Sequence, residues 1–497
     1  MPAVSETPCH VFLVTFPGQG HMNPTIRLGK KLASKGVYIT ISTTLEFGLS
    51  LKNAGSIGDH PSPVGSGFID FEFWDDGWEL DDPRRRDLDL YMPQLQITGK
   101  PALSQMLRNR ASENRPVSCV IGNPFVPWVC DVANDIGIPC SVLWVQSCSV
   151  FSIYYHFSRK SVDFPSESDP YCDVQLPSLP SLKHDEIPSF LHPHGMYKAI
   201  GRSILQQFRN VSIPFCILMD TFEELERDVI KHMSTICPVK PIGPLFKTLK
   251  ISDDNKKADL SGDFLKADDC FEWLDSKPPN SVVYISFGSI VHLSQKQIEE
   301  MAHALCNSGF SFLWVMKPLP KDMEECLGLK QHVLPDGFLE KAGERAKIVK
   351  WSPQQKVLSH PSIACFVTHC GWNSSVEALS SGVPVLVLPQ WGDQVTNAKF
   401  LVEEYGVGIR LGRGESEKRL VERDEFEQYL RDAIVGQKAK ELRENALKWK
   451  IAAEKAAADD GPSESNIEEF VEEIKKKKPC GQMSDIHNLG VNNVEKA

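Results

Sequence analysis

Residues 351–394 read WSPQQKVLSHPSIACFVTHCGWNSSVEALSSGVPVLVLPQWGDQ, and their reading decides the fold. Apolar runs of strand length cover 348–351, 363–368 and 383–388, and helical patterns follow at 354–359, 373–380 and 397–405. Strand–helix alternation of this kind argues for a parallel sheet covered by helices. Ligands of such sheets bind outside the carboxyl ends of the strands. The polar and aromatic residues of this stretch fall at those ends.

Each has a chemical use there. After His369, the turn Gly371-Trp372-Asn373-Ser374 leads into a helix, whose N–H groups and dipole suit a diphosphate. Asn373 and Ser374 add side-chain donors, and Gly371 allows close approach of the backbone. Trp351 offers a flat face to a base. Glu377 lies one helical turn past Asn373, where its carboxylate suits a ribose diol. Asp393 and Gln394 follow the next strand and suit sugar hydroxyls. Singly, each has an ordinary structural explanation: a capped turn, a core Trp, a surface turn. Together, on successive strand ends of one sheet, they describe a nucleotide-sugar site.

The same alternation fills the rest of the chain. Residues 10–16, 37–43, 118–121, 139–145 and 215–220 read as strands of a first unit, and 281–287 and 310–316 as strands of a second. Residues 53–89, rich in Gly, Pro and acids, read as a long surface loop. Residues 94–109 read as a helix. Residues 247–264 are charged and poor in large apolar side chains, which predicts a linker. The predicted organisation is an acceptor-binding Rossmann-like domain at 1–246, the linker, and a sugar-nucleotide-binding Rossmann-like domain at 265–478. The tail at 479–497 is polar and predicted disordered. The cleft between the domains is the expected site.

Composition narrows the function. The 497 residues carry a net charge of −11, with 41% hydrophobic and 24% charged. That balance argues against a nucleic-acid-binding surface. The basic run 475–478 reads as the solvated end of a helix. The 14 cysteines lack paired metal spacings, and several sit in apolar runs, so a reducing, cytoplasmic setting is expected. The N-terminus lacks the basic start of a signal peptide, and no apolar run is long enough to span a membrane. Asn210 and Asn373 match the glycosylation sequon, a short pattern that arises by chance.

A second constellation lies near the N-terminus. In PGQGHMNP, His21 follows the first strand and precedes a helix predicted over 25–35, with Asn23 as its cap and Pro24 in its first turn. An imidazole at a strand edge facing the cleft can take a proton at neutral pH.

The stretch 351–394 closely resembles the signature box of plant UDP-dependent glycosyltransferases of small molecules, along its whole length. The resemblance extends through PGQGHMNP, PIGPLF, CFEWLD and VYISFGS. It implies the GT-B fold, an α/β architecture of two facing Rossmann-like domains. It also implies roles. Trp351 would stack on uracil, and Gln354 and Glu377 would bind ribose. Ser289, His369, Asn373 and Ser374 would hold the diphosphate. Trp372, Asp393 and Gln394 would contact the sugar, with Gln394 favouring UDP-glucose. His21 would be the general base, and the helix at 464–477 would cross back to the first domain. UDP-glucose would be a co-substrate. No cofactor, metal or further partner is expected, and a monomer is.

At one position the chain departs from the resemblance. An Asp is usual after the strand at 118–121, where it would orient the His and balance its charge. Here the residue is Asn123. An amide can orient His21 but cannot stabilise an imidazolium as a carboxylate does. That exchange suits an acceptor already ionised at pH 7, such as a carboxylic acid of pKa about 4. The run GNPFVPWVCDVANDIGIPCSVLWVQSC resembles the plant enzymes that esterify hydroxycinnamic and hydroxybenzoic acids, gallate among them. The expected function is therefore inverting glucosyl transfer from UDP-glucose to a phenolic carboxylate, giving a 1-O-β-glucose ester. Phe125, Trp144 and Gln146 are candidate walls of the acceptor pocket. Alternatives are a flavonoid or phenol O-glucosyltransferase, a terpenoid-acid glucosyltransferase, and a UDP-sugar-binding protein without catalysis.

Overall fold

A computed structural model describes residues 9–247, 260–263, 265–266, 268–319, 330–411 and 419–477. Two sheets organise them. The first runs β3-β4-β2-β1-β5-β6-β7-β8 and the second β11-β10-β9-β12-β13-β14. Their strands are β1 His10–Val14, β2 Tyr38–Thr44, β3 Ser62–Val64, β4 Gly67–Trp74, β5 Cys119–Gly122, β6 Cys140–Trp144, β7 Ile217–Met219 and β8 Val239–Pro241, then β9 Val282–Ser286, β10 Ser311–Val315, β11 Ala346–Val349, β12 Ile363–Thr368, β13 Val385–Val387 and β14 Gly408–Arg410. Every described strand pair is parallel except β3 with β4. Parallel strands buried on both faces need near-continuous apolar runs, and β1 (HVFLV) and β12 (IACFVT) are buried throughout.

Alternation along β1 separates two cores. Val11 and Leu13 pack with Ile26 and Leu28 of the helix Gln19–Ser34. Phe12 and Val14 point to the other face, with Leu103 and Trp128. That second core runs on into the second sheet, taking in Val282, Tyr284, Phe366 and Trp372. One apolar body therefore underlies both walls of the cleft.

The structure revises three local readings. The first concerns the helix expected at 25–35, which spans Gln19–Ser34 with Gly18 at its N-cap. His21 thus lies in the first helical turn and not in a loop, and Asn23 is no cap. Pro24 sits inside the helix. Lacking an N–H, it leaves the Gly20 carbonyl without its intrahelical donor. Asn373 Nδ2 of the second sheet's layer donates to that oxygen instead, at 2.8 Å. The second revision concerns residues 53–89, which hold β3 and β4 rather than one long loop. Asp70 and Glu72 of β4 hid the strand. They alternate with Ile69, Phe71 and Phe73, and they are partnered by Tyr38 and Arg110. Thirdly, the helix read at 94–109 runs Leu88–Ser112, started by Asp87, whose side chain accepts from the Asp89 and Leu90 N–H groups.

The linker reading at 248–259 and 264 and the tail reading at 479–497 lie outside the described residues. The helix Pro462–Lys476 packs on the first sheet's layer. Ser463 Oγ donates to the Gly243 carbonyl at 2.6 Å, Asn466 Nδ2 to the Pro241 carbonyl at 2.8 Å, and Phe470 stacks on Phe215. Among the described residues no helix is long and apolar enough to cross a membrane.

Candidate active site

The carboxyl ends of the two sheets face each other across a cavity of about 1470 Å³. His21, Phe125 and Gln146 line it from the first sheet. Ser289, Trp351, Gln354, His369, Trp372, Asn373, Ser374, Glu377, Asp393 and Gln394 line it from the second.

On the first wall, His21 Nδ1 lies 2.7 Å from Asn123 Oδ1. The Phe125 backbone N–H donates to the same oxygen at 3.2 Å, which identifies it as the acceptor atom. His21 Nδ1 therefore carries the hydrogen, and Nε2 keeps its lone pair. Burial pushes the imidazole down to about 4, against a smaller upward pull from Asn123. Its place in the first turn of a helix works in the same direction as burial. Neutral at pH 7, His21 can accept a proton only weakly. Phe125 flanks it, the ring centroids 4.3 Å apart.

On the second wall, the helix Trp372–Ser381 starts from Gly371. Gln354 Nε2 donates to both Ser374 Oγ and Glu377 Oε2 at 2.8 Å, tying two positions one turn apart. Glu377 Oε1 accepts from Arg27 Nη2 of the first layer at 2.6 Å. His369 stands between two glycines. A Cβ at Gly288 would come within 2.8 Å of its Cε1, and one at Gly371 within 2.6 Å of its Nε2. Gly288 also has φ +69, so glycine is needed there twice over. Burial, with the nearby Lys317 charge, pushes His369 down to about 3. Its Nδ1 is buried without a partner among the described residues. A neutral imidazole there can offer an N–H to an anion without adding charge.

Asp393 sits deeper. Burial raises its carboxyl to about 6, opposed by the hydrogen bond from Asn397 and, less, by the nearby Gln146 amide. Asn397 Nδ2 donates to Asp393 Oδ2 at 2.8 Å. Gln394 Oε1 accepts from the Gln390 N–H at 2.9 Å, so its amide is held in place by its own loop.

Two sequence-derived candidates stand differently from expectation. Trp144 is fully buried, packs on Phe151 and Tyr154, and donates its indole N–H to the Ser147 carbonyl. It does not line the cleft, because it lies within β6 while the chain turns out at Val145 and Gln146. Trp372 gives its indole N–H to the Asp220 carbonyl at 2.8 Å, across the two layers, so that group is not free for a sugar. Sequence reading missed Arg27 and Lys317. Arg27 carried no local signal, since Lys30 and Lys31 follow it in the same helix. Lys317 Nζ donates to the Ser289 carbonyl at 2.5 Å and carried no signal beyond its place after a strand. Among the described residues no cluster of His, Cys, Asp or Glu is arranged to hold a metal ion.

Two parallel-sheet layers meeting over a cleft lined in this way define a GT-B glycosyltransferase. Residues 265–437 match the family UDP-glucoronosyl and UDP-glucosyl transferase. The chain belongs to that family and is a UDP-glucosyltransferase. It is 57% identical over 473 residues to gallate 1-beta-glucosyltransferase 84A24 of Punica granatum, covering 95% of this chain and 90% of that relative. It is 56% identical over 477 residues to limonoid UDP-glucosyltransferase of Citrus unshiu, covering 95% and 91%. Among solved structures it is similar to Os79 of O. sativa in complex with UDP, with TM-score 0.78 and 27% identity over 93% of this chain and 100% of that one.

Proposed function

We propose that the acceptor is the carboxylate of a phenolic acid and that the product is a 1-O-β-glucose ester. The observation that carries this is the uncharged pair of His21 and Asn123. A base held near pKa 4 is far too weak to ionise a phenol of pKa about 10, but a carboxylic acid arrives ionised. A carboxylate at position 123 would repel that anion; an amide does not. Similarity to the Punica gallate enzyme supports the same acceptor class. A terpenoid acid is the second reading, favoured by near-equal identity to the limonoid enzyme.

Residues 1–246 then hold the acceptor and 265–478 the donor. Trp351 stacks on uracil, and Gln354 and Glu377 bind the ribose. Ser289, His369, Asn373 and Ser374 receive the diphosphate, and Asp393 and Gln394 the glucose. The acceptor oxygen attacks the anomeric carbon as its bond to the phosphate oxygen breaks, inverting α-glucose to a β-ester and releasing UDP. Charge growing on the diphosphate meets the N-terminal turn of the helix Trp372–Ser381 and the neutral donors around it.

The test is a panel of UDP-glucose against gallate, cinnamate, flavonol and terpenoid acids. Alkali-labile products formed mainly from phenolic acids are expected. Alkali-stable phenol glucosides as main products would sink the reading.

A further inference from the structure

Gln146 follows β6 on the first wall, 6% exposed, and lines the cleft together with Asp393. Its amide lies close enough to Asp393 to favour the ionised carboxylate. Only Nε2 can donate, so Oε1 is left over. That oxygen is buried and has no partner among the described residues. Buried polar atoms in folded proteins are nearly always satisfied, so an orphan acceptor in a ligand cleft marks where a donor arrives with the ligand. The neighbouring groups say which part of the ligand. Asp393 offers carboxylate oxygens and Gln146 an amide oxygen, side by side. Two adjacent acceptors match two adjacent hydroxyls, and a hexose supplies such pairs. The reacting carboxylate end of an acceptor supplies no such donors and would be repelled by Asp393.

We propose that Gln146 reads the hexose of the donor rather than walling the acceptor pocket. Its Nε2 orients Asp393, and its Oε1 accepts a hydroxyl of glucose. The sugar site is thus assembled from both sheets, while the nucleotide site uses residues of the second alone. This inference rests on UDP-glucose occupying the cleft and is independent of which acceptor the enzyme uses.

Calorimetry without acceptor keeps the two readings apart. UDP and UDP-glucose are titrated into the wild-type chain, Gln146→Ala and Gln146→Met, the last preserving side-chain volume without an acceptor atom. UDP affinity is expected to stay within about twofold, while UDP-glucose binds roughly five- to twentyfold more weakly in both variants. Acceptor KM is expected to stay within about twofold. Unchanged UDP-glucose affinity overturns the proposal. So does an equal loss for UDP, which marks a structural role, and so does an effect confined to acceptor KM. Should Gln146→Ala lower the melting temperature, the affinities of Gln146→Met decide between these outcomes. Failure of the ester reading would appear only in product chemistry and leave these constants unaffected.

Discussion

Arg27 Nη2 and Glu377 Oε1 stand 2.6 Å apart, joining the helix that carries His21 to the helix that follows Gly371. Both side chains are largely buried, at 18% and 5% exposed. The carboxylate proposed for the ribose is therefore held by a cation of the opposite wall of the cleft. Removing one partner of a largely buried pair leaves the other's charge uncompensated, which disfavours the arrangement that buries it. Arg27→Met is expected to enlarge the radius of gyration of the ligand-free enzyme in small-angle scattering. The difference should vanish with UDP-glucose; superimposable ligand-free curves would count against the coupling.

Glu377→Gln tests the ribose assignment separately. Loss of a charge-assisted bond is expected to raise KM for UDP-glucose about tenfold, with little change in acceptor KM. An unchanged donor KM would remove Glu377 from the nucleotide site.

Trp351→Ala removes the flat face after β11. Stacking of a base on an aromatic ring contributes ~1–3 kcal/mol. UDP is expected to bind at least about tenfold more weakly in titration calorimetry, and acceptor range should not change.

Asn123→Asp puts a carboxylate against His21 Nδ1. In the wild type, His21 is neutral above about pH 4 because burial disfavours its charged form. Activity that needs neutral His21 should persist down to that region and fall below it. An adjacent carboxylate favours the imidazolium and raises the pKa, so the acid limb of kcat/KM should move up in pH by about one unit or more. Phenol glucosylation should gain relative to carboxylate glucosylation. A pH profile and product ratio both equal to wild type would refute the charge argument.

His10 provides a stability test away from the site. Its Nε2 meets Thr40 Oγ1 at 2.9 Å, and burial lowers it to about 4 from an ordinary value near 6.5. The unfolded chain thus binds more protons between those values, and stability falls as pH drops from 6.5 to about 4. His10→Gln should flatten the acid side of the melting-temperature curve.

The second sheet's wall of the cleft was legible because its residues sit at or just after strand ends within one continuous run. Strand ends on one sheet edge converge whatever the details of packing, so Trp351, His369 and Glu377 come together as read. His21 and Asn123 were legible for the same reason, each following a strand of the first sheet. Trp144 was not, since an aromatic residue near a strand end reads alike whether its ring turns inward or outward. Arg27 escaped notice because its partner lies in the other layer, and no local pattern announces a contact between residues 27 and 377. β4 was masked by Asp70 and Glu72, whose partners Tyr38 and Arg110 are likewise distant in sequence.

The helix Pro462–Lys476 lies against the first sheet's layer although the chain before it belongs to the second. The backbone therefore crosses between the layers twice, once after the first sheet and once before this helix. The wall that carries His21 and the wall that carries the helix Trp372–Ser381 are thus fastened to each other along the backbone at two places, besides the Arg27–Glu377 pair that spans the cleft between them.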